Sequence, residues 1–291
     1  MTIRDHIRNP AEWSVDQLRS ANLALERAGQ SLRSPAETRY GPLPAVRRIE
    51  LADLRDVLAS GVSDFAAYRT DVIFICIIYP VVGLILASLA FGYGMLPLLF
   101  PLASGFALIG PVAAVGLYEM SRRREQGVDI TWADAFGVVR APAFGAILVL
   151  GLVLLAIFLL WLATAYAIYL VTLGPEPPTS LGAFVRDVFT TGAGWTMIVV
   201  GVVVGFLFAV LVLMISVVSF PMLLDRDVGL YTAVATSVRA VLGNPVPMAA
   251  WGLIVAGGLV IGSIPIFLGL IIVMPVLGHA TWHLYRKVVP R

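Results

Sequence analysis

Residues 144–173 run for thirty positions without one charged side chain. A helix needs about 20 apolar residues to cross ~30 Å of hydrocarbon. A run this long therefore points to a membrane crossing that tilts or extends beyond the bilayer. The same criterion gives six predicted spans, at 72–92, 97–118, 144–173, 194–223, 246–264 and 266–285. Helices are the default, because lipid offers backbone groups no other partner. The last two spans are separated only around Ser263-Ile264-Pro265, which reads as a tight hairpin. Composition agrees: 59% of the 291 residues are hydrophobic, 13% are charged, and mean hydropathy is +0.91. A soluble domain runs nearer ~45–50% apolar and ~25% charged. The expected fold is all-α: a polytopic membrane domain over 71–291, with six transmembrane helices arranged as three hairpins and with interfacial amphipathic helices on the cytoplasmic side.

Charge is distributed unevenly. Residues 1–70 hold half of the Lys and Arg and half of the Asp and Glu, so a nearly neutral polar tail precedes an apolar body. With a basic excess of only one in that tail, nucleic acid is not an expected partner. The single cysteine, Cys76, excludes an intrachain disulfide and a cysteine-rich metal site. No signal peptide is visible, since the first long apolar run begins near Val72. With the N-terminus inside, nineteen of the twenty basic residues fall on one side and only Arg186 on the other. The positive-inside rule then places both termini in the cytoplasm of a bacterium-like cell, with the body in its inner membrane.

The tail, residues 1–48, carries one predicted amphipathic helix at about 14–29. Trp13, Ser14, Gln17 and Leu18 supply a hydrophobic staple and capping box. Val15, Leu18, Leu25 and Leu32 make a stripe thin enough to need a docking surface. Pro35, Pro42 and Pro44 mark a linker. Residues 49–70 form a second amphipathic element, with Leu51, Leu54, Val57, Leu58, Val62 and Phe65 at helical spacing and Asp53, Arg55, Asp56 and Asp64 elsewhere. Similar segments precede the third span (Trp132, Phe136, Val139) and the fifth (Leu230, Val234, Val238, Leu242). All three are expected to lie flat on the cytoplasmic face.

The most informative chemical feature is an absence. No Asp, Glu, Lys, Arg or His lies in the central part of any predicted span; Asp71, Glu119, His279 and His283 sit at or near span ends. Proton-driven carriers need ionisable groups at depth. His279 and His283, spaced i, i+4, share one helical face and could hold a metal edge-on. The plainer reading is a headgroup belt with Trp282, Tyr285 and Arg286, so no metal and no cofactor is expected. Arg122, Arg123 and Arg124, with Arg140 and Arg239, read as lipid-headgroup contacts or topology determinants. Two GxxxG patterns, Gly201/Gly205 and Gly258/Gly262, offer flat grooves for a packed helix or a partner. Nucleotide-binding, HExxH, GxSxG and CxxC motifs are missing, and the aqueous loops are short, so catalysis is not expected.

Three features occur together: the ending Pro275-Val-Leu-Gly-His279-Ala-Thr-Trp282-His283-Leu-Tyr285-Arg286, the exit Tyr118-Glu119-Met-Ser-Arg122-Arg123, and the pre-span amphipathic helices. With them the chain resembles, over about residues 50–290, a family of bacterial integral membrane proteins known as a domain of unknown function. Some members of that family carry the label of a cytochrome c oxidase subunit. The resemblance implies an accessory role at most, since the three histidines, His6, His279 and His283, are too few for two haems and a copper. The expectation is a non-catalytic membrane interaction protein, with the bilayer and other membrane subunits as partners. The alternative is a small permease for a neutral or apolar solute.

Overall fold

The computed structural model describes residues 43–67, 73, 76–92, 95–128, 135, 137–139 and 141–290, without the side chains of 89, 90, 92 and 106. The predicted tail helix, His6, Asp71, Trp132, Phe136 and Arg140 lie outside the described residues. What is described is helical, with no strand: α1 (Leu51–Ala67), α2 (Ile78–Gly92), α3 (Leu99–Ala113), α4 (Val115–Glu125), α5 (Phe144–Thr172), α6 (Leu181–Thr190), α7 (Gly192–Ser216), α8 (Ser219–Asp225), α9 (Leu230–Gly243), α10 (Pro245–Ser263) and α11 (Leu270–Val288).

Four helical rods are long and apolar enough to cross a membrane: Leu96–Glu125, Phe144–Thr172, Gly192–Asp225 and Pro245–Ser263. They correspond to the second to fifth predicted spans. The other two do not meet that measure. The described apolar part of the first is the short helix Ile78–Ser88. The last, α11, fails because its second half carries His279, His283, Arg286 and Lys287 and is too polar. At 29 residues, α5 measures about 43 Å at 1.5 Å per residue, longer than a bilayer core is thick.

Local chemistry explains the breaks. Ser216 and Ser219 return their hydroxyl protons to the carbonyls of Val212 and Ile215, and Pro221 has no amide to continue the ladder, so α7 and α8 part at Val217–Val218. The freed Val218 amide is met by Ser237 Oγ at 3.2 Å. Between α10 and α11, residues 264–269 turn through two left-handed positions, Ile266 (φ 53°) and Phe267 (φ 64°). Close approach drives this turn: a Cβ built on Gly262 would stand 2.8 Å from Leu270 Cδ2, and one on Gly269 2.8 Å from Gly262 Cα.

α1 runs antiparallel along α11. Leu54, Val57, Gly61 and Asp64 are the buried positions, while Leu51 and Val62 stay exposed. Gly61 permits this contact, since a Cβ there would lie 2.7 Å from both Ala280 Cβ and the Val276 carbonyl oxygen. α9 follows the same logic. Its buried face consists of Thr232, Ala233, Thr236, Ser237 and Ala240, while Tyr231 and Leu242 point outward. In lipid, small side chains allow close packing and large apolar ones lose nothing by facing out. The densest packing is thus at one end of the molecule. There Trp251, Trp282, Tyr285, Phe220, Leu117 and Met120 are among the largest fully buried side chains.

Candidate functional site: a paired charged head above an apolar cleft

The charged end is built where α1, α4, α8 and α11 meet. Asp64 of α1 is its centre, with a side chain only 7% exposed. Its Oδ1 accepts from Arg124 (2.5 Å), and its Oδ2 accepts from the Ser121 hydroxyl (2.5 Å) and from His283 Nε2 (2.9 Å). Ser121 has one proton, and it goes to Asp64. His279 Nδ1, 2.7 Å from Ser121 Oγ, must then be the donor of that contact. The chain of bonds runs from His279 through Ser121 to the carboxylate and fixes the tautomer of a fully buried ring. His279 Nε2 is buried without a hydrogen-bond partner. Burial alone pushes the Asp64 carboxyl up. The hydrogen bonds from His283 and Ser121 outweigh it and hold the group below the ordinary range.

Two further knots surround this one. Glu119, 4% exposed, is gripped by Arg122 through two bonds of 2.8 and 2.9 Å and by Arg123 at 2.7 Å. Arg286 bridges Glu125 (3.0 Å) and Asp225 (3.3 Å), Tyr285 donates to Asp225 at 2.7 Å, and Trp282 Nε1 donates to Glu125 at 3.2 Å. Buried charges are tolerated in this way, because each carboxylate meets at least one cation and further donors.

The predicted site residues fall out unequally. Arg122, Arg123 and Arg124 turn toward carboxylates of their own chain, while Arg239 is exposed on α9. His279, Trp282 and Tyr285 have no exposed surface, so a headgroup belt cannot be built from them; the charged ends of α1, α4 and α8 enclose them. Among the described residues, no three His, Cys, Asp or Glu side chains are placed to hold a metal ion. Gly258 and Gly262 lie against α11, and Gly205 lies against Trp161, where a Cβ would meet the ring at 3.0 Å. Gly201 faces open space. Sequence reading did not nominate Asp64, Ser121, Asp225 or Asn244. Asp64 stands at i+7 from Val57, which puts it beside the apolar stripe, and that was the one available signal.

Below the head, a cleft of about 460 Å³ opens between α3–α4, α7, α10 and α11, with Leu108, Pro111, Leu213, Trp251 and Leu277 in its walls. Tyr118, Ser216 and Thr281 are the hydroxyl groups in its lining. Two of those hydroxyls are spent on their own helices, Ser216 on Val212 O (2.6 Å) and Thr281 on Leu277 O (2.7 Å). No charged side chain lines it. The cleft can therefore receive hydrocarbon and very little else.

Residues 99–225 match the model of a family described as predicted integral membrane protein (DUF2189), a domain of unknown function. The matched stretch begins with α3 and ends with α8, so it contains Glu119, Ser121 and the arginine run and stops short of α11. No curated protein matches the chain, and no solved structure does. The four apolar rods and this match agree that the chain is an integral membrane protein.

Proposed function

We propose that this protein is a non-catalytic membrane interaction protein, an accessory or assembly component of a larger membrane complex, with its charged head in the bacterial cytoplasm. One observation carries the reading. Among the described residues, every charged side chain of the membrane rods and of α11 belongs to the head, and the remaining rod surface is apolar. On α7, Val202, Phe206 and Leu207 are each more than half exposed. A surface of that kind offers packing and nothing for ion coupling. The resemblance of the His279–Arg286 ending and the Glu119–Arg123 exit to a family with oxidase-subunit labels favours a respiratory complex, such as cytochrome c oxidase, as the host. Gentle extraction into nanodiscs followed by native mass spectrometry tests this: a stoichiometric protein partner is expected, and a chain recovered alone overturns it.

A second reading, a small permease or carrier for a neutral or apolar solute, is favoured by the cleft. Its volume of about 460 Å³ lies within the range of small-molecule sites. Gly110 lines the cleft, and a Cβ built there meets nothing within 4 Å. Gly110→Phe should fill the space without breaking the bundle. If the second reading holds, this variant loses a co-purifying apolar molecule that the wild type retains.

A further inference from the structure

We propose that a second pocket, on the outer side of the head, binds a phosphate-bearing anion. It lies between the non-helical segment 43–50, α1 and the end of α11, and has a volume of about 320 Å³. Arg47, Arg48, His283, Arg286 and Lys287 line it, with Asp53 the single carboxylate and Ser60 a hydroxyl at the wall.

The charges there do not balance. Lys287 is committed to Asp53 (2.7 Å) and Asp56 (2.8 Å), Arg286 to Glu125 and Asp225, and His283 to Asp64. Arg47 and Arg48 make no ion pair among the described residues; Asp53, the carboxylate on which Arg47 acts from a distance, is already bonded to Lys287. Elsewhere in the head every arginine from Arg122 to Arg124, with Arg226 and Arg286, has a carboxylate within 4.0 Å.

The two arginines are also held in place. Arg47 N donates to Val288 O at 2.8 Å, Ile49 N to Asn244 Oδ1 at 2.8 Å, and Asn244 Nδ2 to Arg47 O at 3.1 Å. Asn244 is 3% exposed and spends both ends of its amide on this task and on Ala240 O. A buried asparagine pinning residues 47–49 fixes the backbone from which both side chains spring, so a ligand has only the two exposed side chains left to order. Planar guanidinium forks match phosphate oxygens two at a time, better than they match halide or a single carbonyl. Near an anionic leaflet each basic residue gains about 1 kcal/mol. The phosphate can thus belong to an anionic phospholipid headgroup or to a water-soluble ligand.

The experiment uses the full chain in phosphatidylcholine nanodiscs, with inorganic phosphate added, and in nanodiscs that also contain phosphatidylglycerol. The thermal unfolding midpoint is followed by tryptophan fluorescence. The proposal expects at least one probe to raise the midpoint, and Arg47→Ala/Arg48→Ala to raise the probe concentration needed for that response about thirty-fold. A rise with phosphate in phosphatidylcholine identifies a soluble ligand; a rise only with phosphatidylglycerol identifies a lipid headgroup. Arg55→Ala, exposed on α1 outside the pocket, should leave the response unchanged. If the double alanine variant does not fold, Arg47→Lys/Arg48→Lys keeps the charge, loses the fork and should still bind phosphate more weakly. The proposal is overturned if neither probe shifts the midpoint, if both double variants respond like wild type, or if Arg55→Ala loses as much as they do.

Discussion

Gly61→Ala tests the seating of α1 on α11. A methyl group at Gly61 would stand 2.7 Å from Ala280 Cβ, 2.7 Å from Val276 O and 2.8 Å from Ala280 N. Two of the three are backbone atoms, so relief requires the helices to separate. Overpacking of that kind costs about 1–3 kcal/mol. Alanine in place of glycine inside a helix returns roughly 0.5–1 kcal/mol. The net expectation is a loss of up to about 2.5 kcal/mol, or a midpoint lowered by up to about 10 °C for a chain this size. Separation would also stretch the Lys287–Asp53 and His283–Asp64 pairs, which cross the same interface. Gly201→Ala is the matched control, because a Cβ there meets nothing within 4 Å. It should gain the same roughly 0.5–1 kcal/mol with no opposing term. Thermal unfolding of both variants in one detergent, read by tryptophan fluorescence, gives the comparison. Equal stabilisation of the two would refute the α1–α11 spacing.

Three further outcomes follow from the same contacts. Asp64→Ala should destabilise the protein by about 2–4 kcal/mol, chiefly by leaving the buried Ser121–His279 pair without its acceptor; Arg124 and His283, a quarter to a third exposed, can rehydrate. Denaturation at neutral pH measures it, and a loss under about 0.5 kcal/mol would show that the carboxylate is not buried as described. Backbone and Lys287 hydrogen bonds hold Asp53 below the ordinary value of about 4, and Asp53 and Asp56 hold Lys287 above about 10.5. Asp53 therefore contributes stability above its unfolded value and loses it as pH falls through the depressed one. Lys287 contributes below its unfolded value and loses it as pH rises through the raised one. A stability profile should be flat for this clamp between about pH 5 and 9 and should fall on both flanks; Lys287→Met should remove the alkaline flank. Ser104→Ala should cost about 1–2 kcal/mol, since it strands Trp161 Nε1, which now donates to Ser104 Oγ at 2.9 Å on a ring 2% exposed.

How much of this was legible beforehand depends on distance along the chain. Long charge-free runs gave α5, α7 and α10 within a few residues, because lipid imposes length and apolarity on any crossing helix. The hairpin glycine Gly262 was legible for a related reason, since GxxxG marks a backbone approach. Gly201 carries the same pattern and meets open space, because the pattern states what a face permits and not what comes to it. The head was not legible. Asp64 meets Ser121 across 57 positions and His283 across 219, and no local pattern encodes such pairings. The apolar stripes of α1 and α9 indicated the packed face only in part: Leu54 and Val57 are buried, while Leu51, Val62 and Leu242 face outward. In water a stripe points inward; beside lipid the small residues Gly61, Ala233 and Ser237 do.

The interaction reading is tested most directly at the apolar surface itself. A photoactivatable diazirine side chain placed at Phe206, 64% exposed on α7, is irradiated in the native membrane. The account predicts one discrete protein adduct of defined mass, formed at a fixed ratio to the chain. Adducts to lipid alone would contradict it.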